Sequence, residues 1–188
     1  MIKVVTSVFV AIALASCASA PPPSPAEPQA VRVTMTTTGG TFKLILFPQF
    51  APQTVAQFVR LARAGVYDSV YFFRVEKGFV AQAAAWQDRE IPLNGEQMAL
   101  IHNVPLEASV MLHSRGVLSL AHGDDPDSGE TSFSILLGEA RHLDGKYTVF
   151  GMIEDGEETL QAIEKAYDAH AKNADGERLQ ILKMTVGK

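Results

Sequence analysis

The chain has 188 residues, 47% of them hydrophobic, enough to bury one good core, which predicts a single domain with terminal extras. A net charge of −5 without any basic run excludes a nucleic-acid-binding protein of the usual kind. The lone cysteine excludes an intrachain disulfide and a cysteine-based metal site, and no repeat appears at periods of about twenty to fifty residues, which excludes a solenoid.

Met1 to Ser16 carries Lys3 and then an apolar run from Val4 to Ala15, too short to span a bilayer comfortably but suited to a signal peptide, so it is set apart from the fold. Leu14-Ala15-Ser16-Cys17 resembles the bacterial lipoprotein signal, in which cleavage precedes a cysteine that becomes lipidated. Several acyl chains on Cys17 would supply stable membrane attachment. Ala18 after the cysteine resembles lipoproteins sorted to the outer membrane, with the folded part facing the periplasm. The alternative is cleavage after Ala18-Ser19-Ala20, leaving a soluble periplasmic protein. The expected layout is a signal peptide over 1–16, Cys17 with a proline-rich tether over 17–30, and a folded domain over 31–188.

Val31 to Thr37 alternates apolar and polar residues, Gly39-Gly40 supplies a turn, and Thr41 to Phe47 returns as a strand, which is a hairpin pattern. Pro52 suits a first helical position, and Val55, Phe58, Val59 and Ala62 follow at helical spacing until Gly65. Val70 to Val75 and Phe79 to Gln82 read as a strand pair around the turn Glu76-Lys77-Gly78. Strict alternation would put Phe72, Arg74 and Glu76 on one face, with Phe73 and Val75 on the other. Arg74 then either lines a pocket or belongs to a surface ladder.

Ala83 to Val104 is a long irregular stretch. Val117 to His122, Thr131 to Leu137 and Tyr147 to Ile153 read as strands. Asp155 and Glu158 resemble a capping box ahead of a second amphipathic helix carrying Leu160, Ile163, Ala166 and Tyr167. Leu179 to Val186 is a last strand, expected to pair with the first and close a barrel. The five histidines show no metal spacing, and the acidic loop Asp124 to Glu130 lacks the frame of a calcium loop. Neither Ser132 nor Ser134 sits in a nucleophile elbow, which argues against a hydrolase.

Taken together, these pieces resemble a cyclophilin-type peptidyl-prolyl cis-trans isomerase from Val33 to Ile163. The matching residues are Thr38-Gly39-Gly40 with Phe42-Lys43-Leu44, Ala51-Pro52-x-Thr54-Val55-x-x-Phe58, and Gly65-Val66-Tyr67-Asp68. They continue with Phe73-Arg74-Val75, Gly78-Phe79-x-x-Gln82, Arg115 to Ala121, and Leu143-Asp144-Gly145-Lys146-Tyr147 running on to Gly151, all in the same order. The resemblance implies a mainly β fold, a closed eight-stranded antiparallel barrel capped by two α-helices, with a proline pocket outside. It implies rotation of X-Pro bonds in unfolded or partly folded exported proteins by a monomer without cofactor or metal.

By that resemblance Arg74 is the catalytic donor to the prolyl amide. Phe79 floors the pocket, Gln82 holds substrate backbone, and Leu143 forms a wall. Val80, Ala121, His122, Ser132, Ser134, His142 and Tyr147 fall at the remaining substrate-contact positions. The chain departs from the pattern at several of them: Phe73 stands where many members have histidine, Val80 for methionine, and Ala83-Ala84 for a glycine pair. His122 stands for asparagine, Ser132 for glutamine, Ser134 for phenylalanine, and His142 at a variable position. Losing the aromatic at Ser134 predicts reduced turnover, and the alternative is a proline-peptide binding module with little or no catalysis.

Overall fold

The structure, a computed structural model, describes residues 29–83 and 86–187. The signal-like segment, Cys17, most of the tether and Ala84 lie outside the described residues. Eight strands form the fold: β1 (Val31–Thr37), β2 (Gly40–Leu46), β3 (Val70–Glu76), β4 (Val80–Ala83), β5 (Val117–Leu120), β6 (Phe133–Leu136), β7 (Thr148–Asp155) and β8 (Gln180–Val186). They close into an antiparallel barrel in the order β1-β2-β7-β5-β6-β4-β3-β8, with β8 pairing β1 as expected of the last strand.

Three helices accompany the barrel: α1 (Pro52–Arg63), α2 (Gly95–Ala99) and α3 (Glu157–Ala166). Helix α1 follows the far end of β2 and buries Val55, Phe58, Leu61 and Ala62. Phe58 meets Tyr67, Phe133 and Phe150 with ring centroids 4.8, 5.3 and 5.1 Å away, filling the barrel interior with offset and edge-on aromatic contacts. Ala51 cannot cap α1. The Glu107 carboxylate does so instead, accepting from Gln53 N at 2.9 Å and Thr54 N at 2.8 Å, which also pins down the loop that leads to the site.

Helix α3 covers the other end through Leu160 and Ile163, above the β1–β2 turn. A Cβ on Gly39 would come within 2.6 Å of Ile163, so the small residue is what lets α3 sit so close. The expected Asp155 cap is not used: Gly156 occupies the cap position, while Asp155 pairs with Lys43 at 2.8 Å. Helix α2 was not anticipated in the Ala83 to Val104 stretch. It is a single turn made possible by a reciprocal box in which Asn94 accepts from Gln97 N and Gln97 accepts from Asn94 N.

The expected alternation in β3 fails at one residue. Phe72 faces Ala83 and Arg74 faces Gln82, so three residues of β3 oppose two of β4, and Phe73 is the extra residue of a β-bulge. The consequence is an inversion of the pattern: Phe72 and Val75 are buried in the core, whereas Phe73 is 43% exposed and Arg74 turns outward. Without the bulge, the same strand would aim a guanidinium into the barrel, where an unpaired charge is very costly.

Candidate active site

On the outer face of the barrel, ladder pairing sets four polar residues in a row across β3, β4, β6 and β5. Arg74 is opposite Gln82, Gln82 opposite Ser134, and Ser134 opposite Ser119. Beside this row a second, smaller apolar cluster of Val80, Val117, Leu136, Ala140 and Val149 packs outside the barrel, with Phe79, Met111 and Leu143 against it. Loops after β6 and before β5 therefore rest on the sheet exterior and leave a hollow between polar row and apolar cluster.

That hollow holds about 250 Å³ and is lined by Arg74, Phe79, Val80, Gln82, Ala121, His122, Ser134, Leu143 and Tyr147, all of them expected, together with Ser119, Leu120 and Leu136. Those last three were not anticipated. The signal that would have found Ser119 is the register, because it needs the partner strand of Ser134. Ser132 and His142 stand beside the hollow instead of lining it. Ser132 donates to Ala83 O at 2.7 Å and borders an adjoining depression that shares Gln82, Ala121 and His122 and includes Glu130. His142, itself exposed, stacks on Phe79 with centroids 5.7 Å apart.

The Arg74 guanidinium lies 5.1 Å from the Phe79 ring centroid, a cation–π arrangement that orients the planar group along the hollow. Its Nε donates to Glu76 Oε2 at 3.0 Å and its Nη2 donates to the same oxygen, so one edge of the fork is spent on Glu76 and the Nη1 side is left over. The pair is exposed, with side-chain accessibilities of 38% and 52%, and so contributes little to stability.

His122 stacks on Tyr147 at 4.2 Å, and its two ring nitrogens sit 2.7 and 2.8 Å from the carbonyl oxygens of Gly123 and Lys146. It therefore offers the hollow a ring face in place of the donor that an asparagine would present. Among the described residues, the side chains of Gln82 and Ser134 have no hydrogen-bond partner, so both are available to a bound chain. Behind the floor, His113 is fully buried between Ser119 and Asp144. The backbone amide of His113, and then its ring, hold the Asp144 carboxyl below the usual carboxylate range. Among the described residues no three His, Cys, Asp or Glu side chains group as metal ligands, and no helix is long and apolar enough to cross a membrane.

One cation, an aromatic ring and two unspent polar groups around a hollow of mixed polar and apolar lining suit non-covalent chemistry, in which a short extended segment is gripped and one of its amides is acted upon.

A model of the family described as "Cyclophilin type peptidyl-prolyl cis-trans isomerase/CLD" matches residues 32–186. The chain is similar to peptidyl-prolyl cis-trans isomerase CYP23 of Arabidopsis thaliana, with 43% identity over 143 residues that cover 74% of this chain and 63% of that protein, less than two thirds of its length. It is similar to a peptidyl-prolyl cis-trans isomerase of Helicobacter pylori strain J99, with 36% identity over 134 residues covering 70% of this chain and 78% of that one. A solved Cryptosporidium parvum cyclophilin type peptidyl-prolyl cis-trans isomerase, in the presence of the dipeptide Ala-Pro, shares 25% identity at a TM-score of 0.70, covering 84% of this chain and 99% of that one. With the family pattern running through the barrel strands and the residues that line the outer hollow, this chain belongs to the cyclophilin-type peptidyl-prolyl cis-trans isomerase family.

Proposed function

We propose that the protein accelerates cis–trans rotation about X-Pro bonds of exported polypeptides, with Arg74 as the group that acts on the prolyl amide. The single observation that carries this reading is the Arg74 guanidinium over Phe79 in a hollow shared with the unpartnered Gln82 amide. Rotation faces a barrier of roughly 18–20 kcal/mol because the amide nitrogen is conjugated with its carbonyl. A donor aimed at that nitrogen withdraws its lone pair from conjugation and stabilises the twisted amide more than either planar form, which is what lowers the barrier. Gln82 and Ala121 would lie along the residues preceding proline, while Phe79, Leu120, Leu136 and Leu143 would enclose the ring.

Magnitudes decide how the work is shared. A ten-thousandfold acceleration needs about 5.5 kcal/mol, whereas one charged hydrogen bond contributes about 1.5–3 kcal/mol. The remainder must come from the apolar walls, and these are thinned where Ser134 stands for an aromatic. Glu76 also draws on the Arg74 fork. Both features support turnover below that of members with an intact aromatic floor.

The apolar run ending at Leu14-Ala15-Ser16-Cys17 supports export and attachment through a lipidated Cys17, with the proline-rich tether holding the domain off an outer membrane in the periplasm. Incorporation of radiolabelled fatty acid that disappears in Cys17→Ala tests the anchor. For the activity, NMR exchange spectroscopy on a tetrapeptide with one Ala-Pro bond is the direct assay. Arg74→Ala should lower kcat/KM by about ten- to a hundredfold while peptide binding persists. Equal turnover by wild type and Arg74→Ala would end the assignment.

A further inference from the structure

We propose that Asp144, His113 and Ser119 form a positioning relay under the hollow, fixing the Ser119 hydroxyl as a hydrogen-bond acceptor toward bound peptide and tying the Leu143 wall to the sheet. The relay rests on the isomerase reading of the site.

The directions of the bonds follow from elementary donor counting. Asp144 Oδ1 accepts from His113 N at 2.8 Å and lies 2.9 Å from His113 Nδ1. A carboxylate oxygen only accepts, so Nδ1 carries the proton and, in the neutral ring, Nε2 is left as an acceptor. Nε2 lies 3.0 Å from Ser119 Oγ. Ser119 has one hydroxyl proton, and it goes to Nε2. What the hydroxyl shows to the hollow is then lone pairs alone, at the end of the row Arg74, Gln82, Ser134.

Two of the three residues, His113 and Asp144, also fasten a wall. His113 O accepts from Ala140 N at 3.0 Å, and Ala140 O accepts from Leu143 N at 2.9 Å, so the 3₁₀ turn Arg141–Leu143 is strapped between His113 and Asp144. That turn carries Leu143 into the hollow and stacks His142 on Phe79. Floor and wall are thereby referenced to one buried ring, and a ring locked on both sides holds both at once.

The order of groups matches an acyl-transfer triad, yet the surroundings do not serve that chemistry. His113 is fully buried behind Ser119 and cannot deliver a proton to a leaving group in the hollow, and Ser119 is 4% exposed in mid-strand without a nucleophile elbow.

Nitrogen-15 NMR of the histidine ring in the wild-type chain tests the assignment directly, with a protonated Nδ1 and an unprotonated Nε2 expected for His113. In peptide exchange, Ser119→Ala and His113→Leu should lower kcat about three- to tenfold with KM held within about twofold. His113→Gln, whose amide can donate to Asp144 and accept from Ser119, should restore most of the loss. A protonated Nε2 in wild type, a folded His113→Gln as poor as His113→Leu, or fluorophosphonate labelling of Ser119 would each overturn the relay. A wild-type chain that does not turn over the Ala-Pro tetrapeptide counts against the isomerase reading, while the ring spectrum judges the relay by itself.

Discussion

Replacing Ser134 by phenylalanine asks whether the thin floor limits the reaction. Ser134 sits on the outer face of β6 between Gln82 and Ser119, opens into a hollow of about 250 Å³, and is without a hydrogen-bond partner among the described residues. The change therefore strands no buried polar group. A phenylalanine side chain buries about 150–250 Å² in all, of which roughly a third would lie against a bound proline ring, or about 60–80 Å². At about 25 cal/mol per Å² this is worth close to 2 kcal/mol, a gain in kcat/KM of about ten- to thirtyfold where the contact is fully made at the twisted amide. The assay is exchange spectroscopy on the Ala-Pro tetrapeptide, with thermal melting to show that the fold is kept. An unchanged or lower kcat/KM in a folded Ser134→Phe protein would refute the argument, because the new ring would then be filling the hollow instead of completing its wall.

Deleting Phe73 removes the extra residue and leaves Phe72, Arg74 and Val75 facing in, out and in by plain alternation, so Tm should stay within about 5 °C of wild type in thermal melting, and loss of the folded state would show that the bulge does more than set the phase of the strand. The Tyr67 hydroxyl is buried without a partner among the described residues, and burial pushes its phenol up, so Tyr67→Phe should gain about 1 kcal/mol and raise Tm by a few degrees, as calorimetry would show. Acid should destabilise the fold through carboxylates held below their ordinary range: Asp144 by the His113 amide and ring, Asp155 by Lys43, and Asp168 by the Lys172 amide. A depressed folded value means that the unfolded chain binds protons first, so stability present near neutrality is lost as pH falls below about 4, and a denaturation midpoint flat from pH 7 to 3 would contradict this.

How much of this was legible in the chain depends on the range of the interaction that decides each feature. Phe42 with Leu44 in β2, or Val55 with Phe58 in α1, declare their burial through spacing alone, because one face of one element settles it. The bulge at Phe73 does not, since alternation in β3 reads equally well in either phase and only the pairing with β4 shows three residues set against two. Ser119 and His113 stayed hidden for the same reason. Ser119 lies inside the matching run Arg115 to Ala121, but that run gives neither residue a role, which appears only when β5 comes to lie beside β6 and the Asp144 turn folds back onto the sheet. The site residues that were legible, Arg74, Phe79 and Gln82, lie within one short strand pair whose turn sets their separation. The rest of the lining around them is assembled from β5, β6 and the Asp144 turn, much further along the chain. Local spacing thus carries the group proposed to act on the amide, while the surface proposed to share the barrier reduction is specified by strand register, so a residue such as Ser134 can change that surface without disturbing any local pattern.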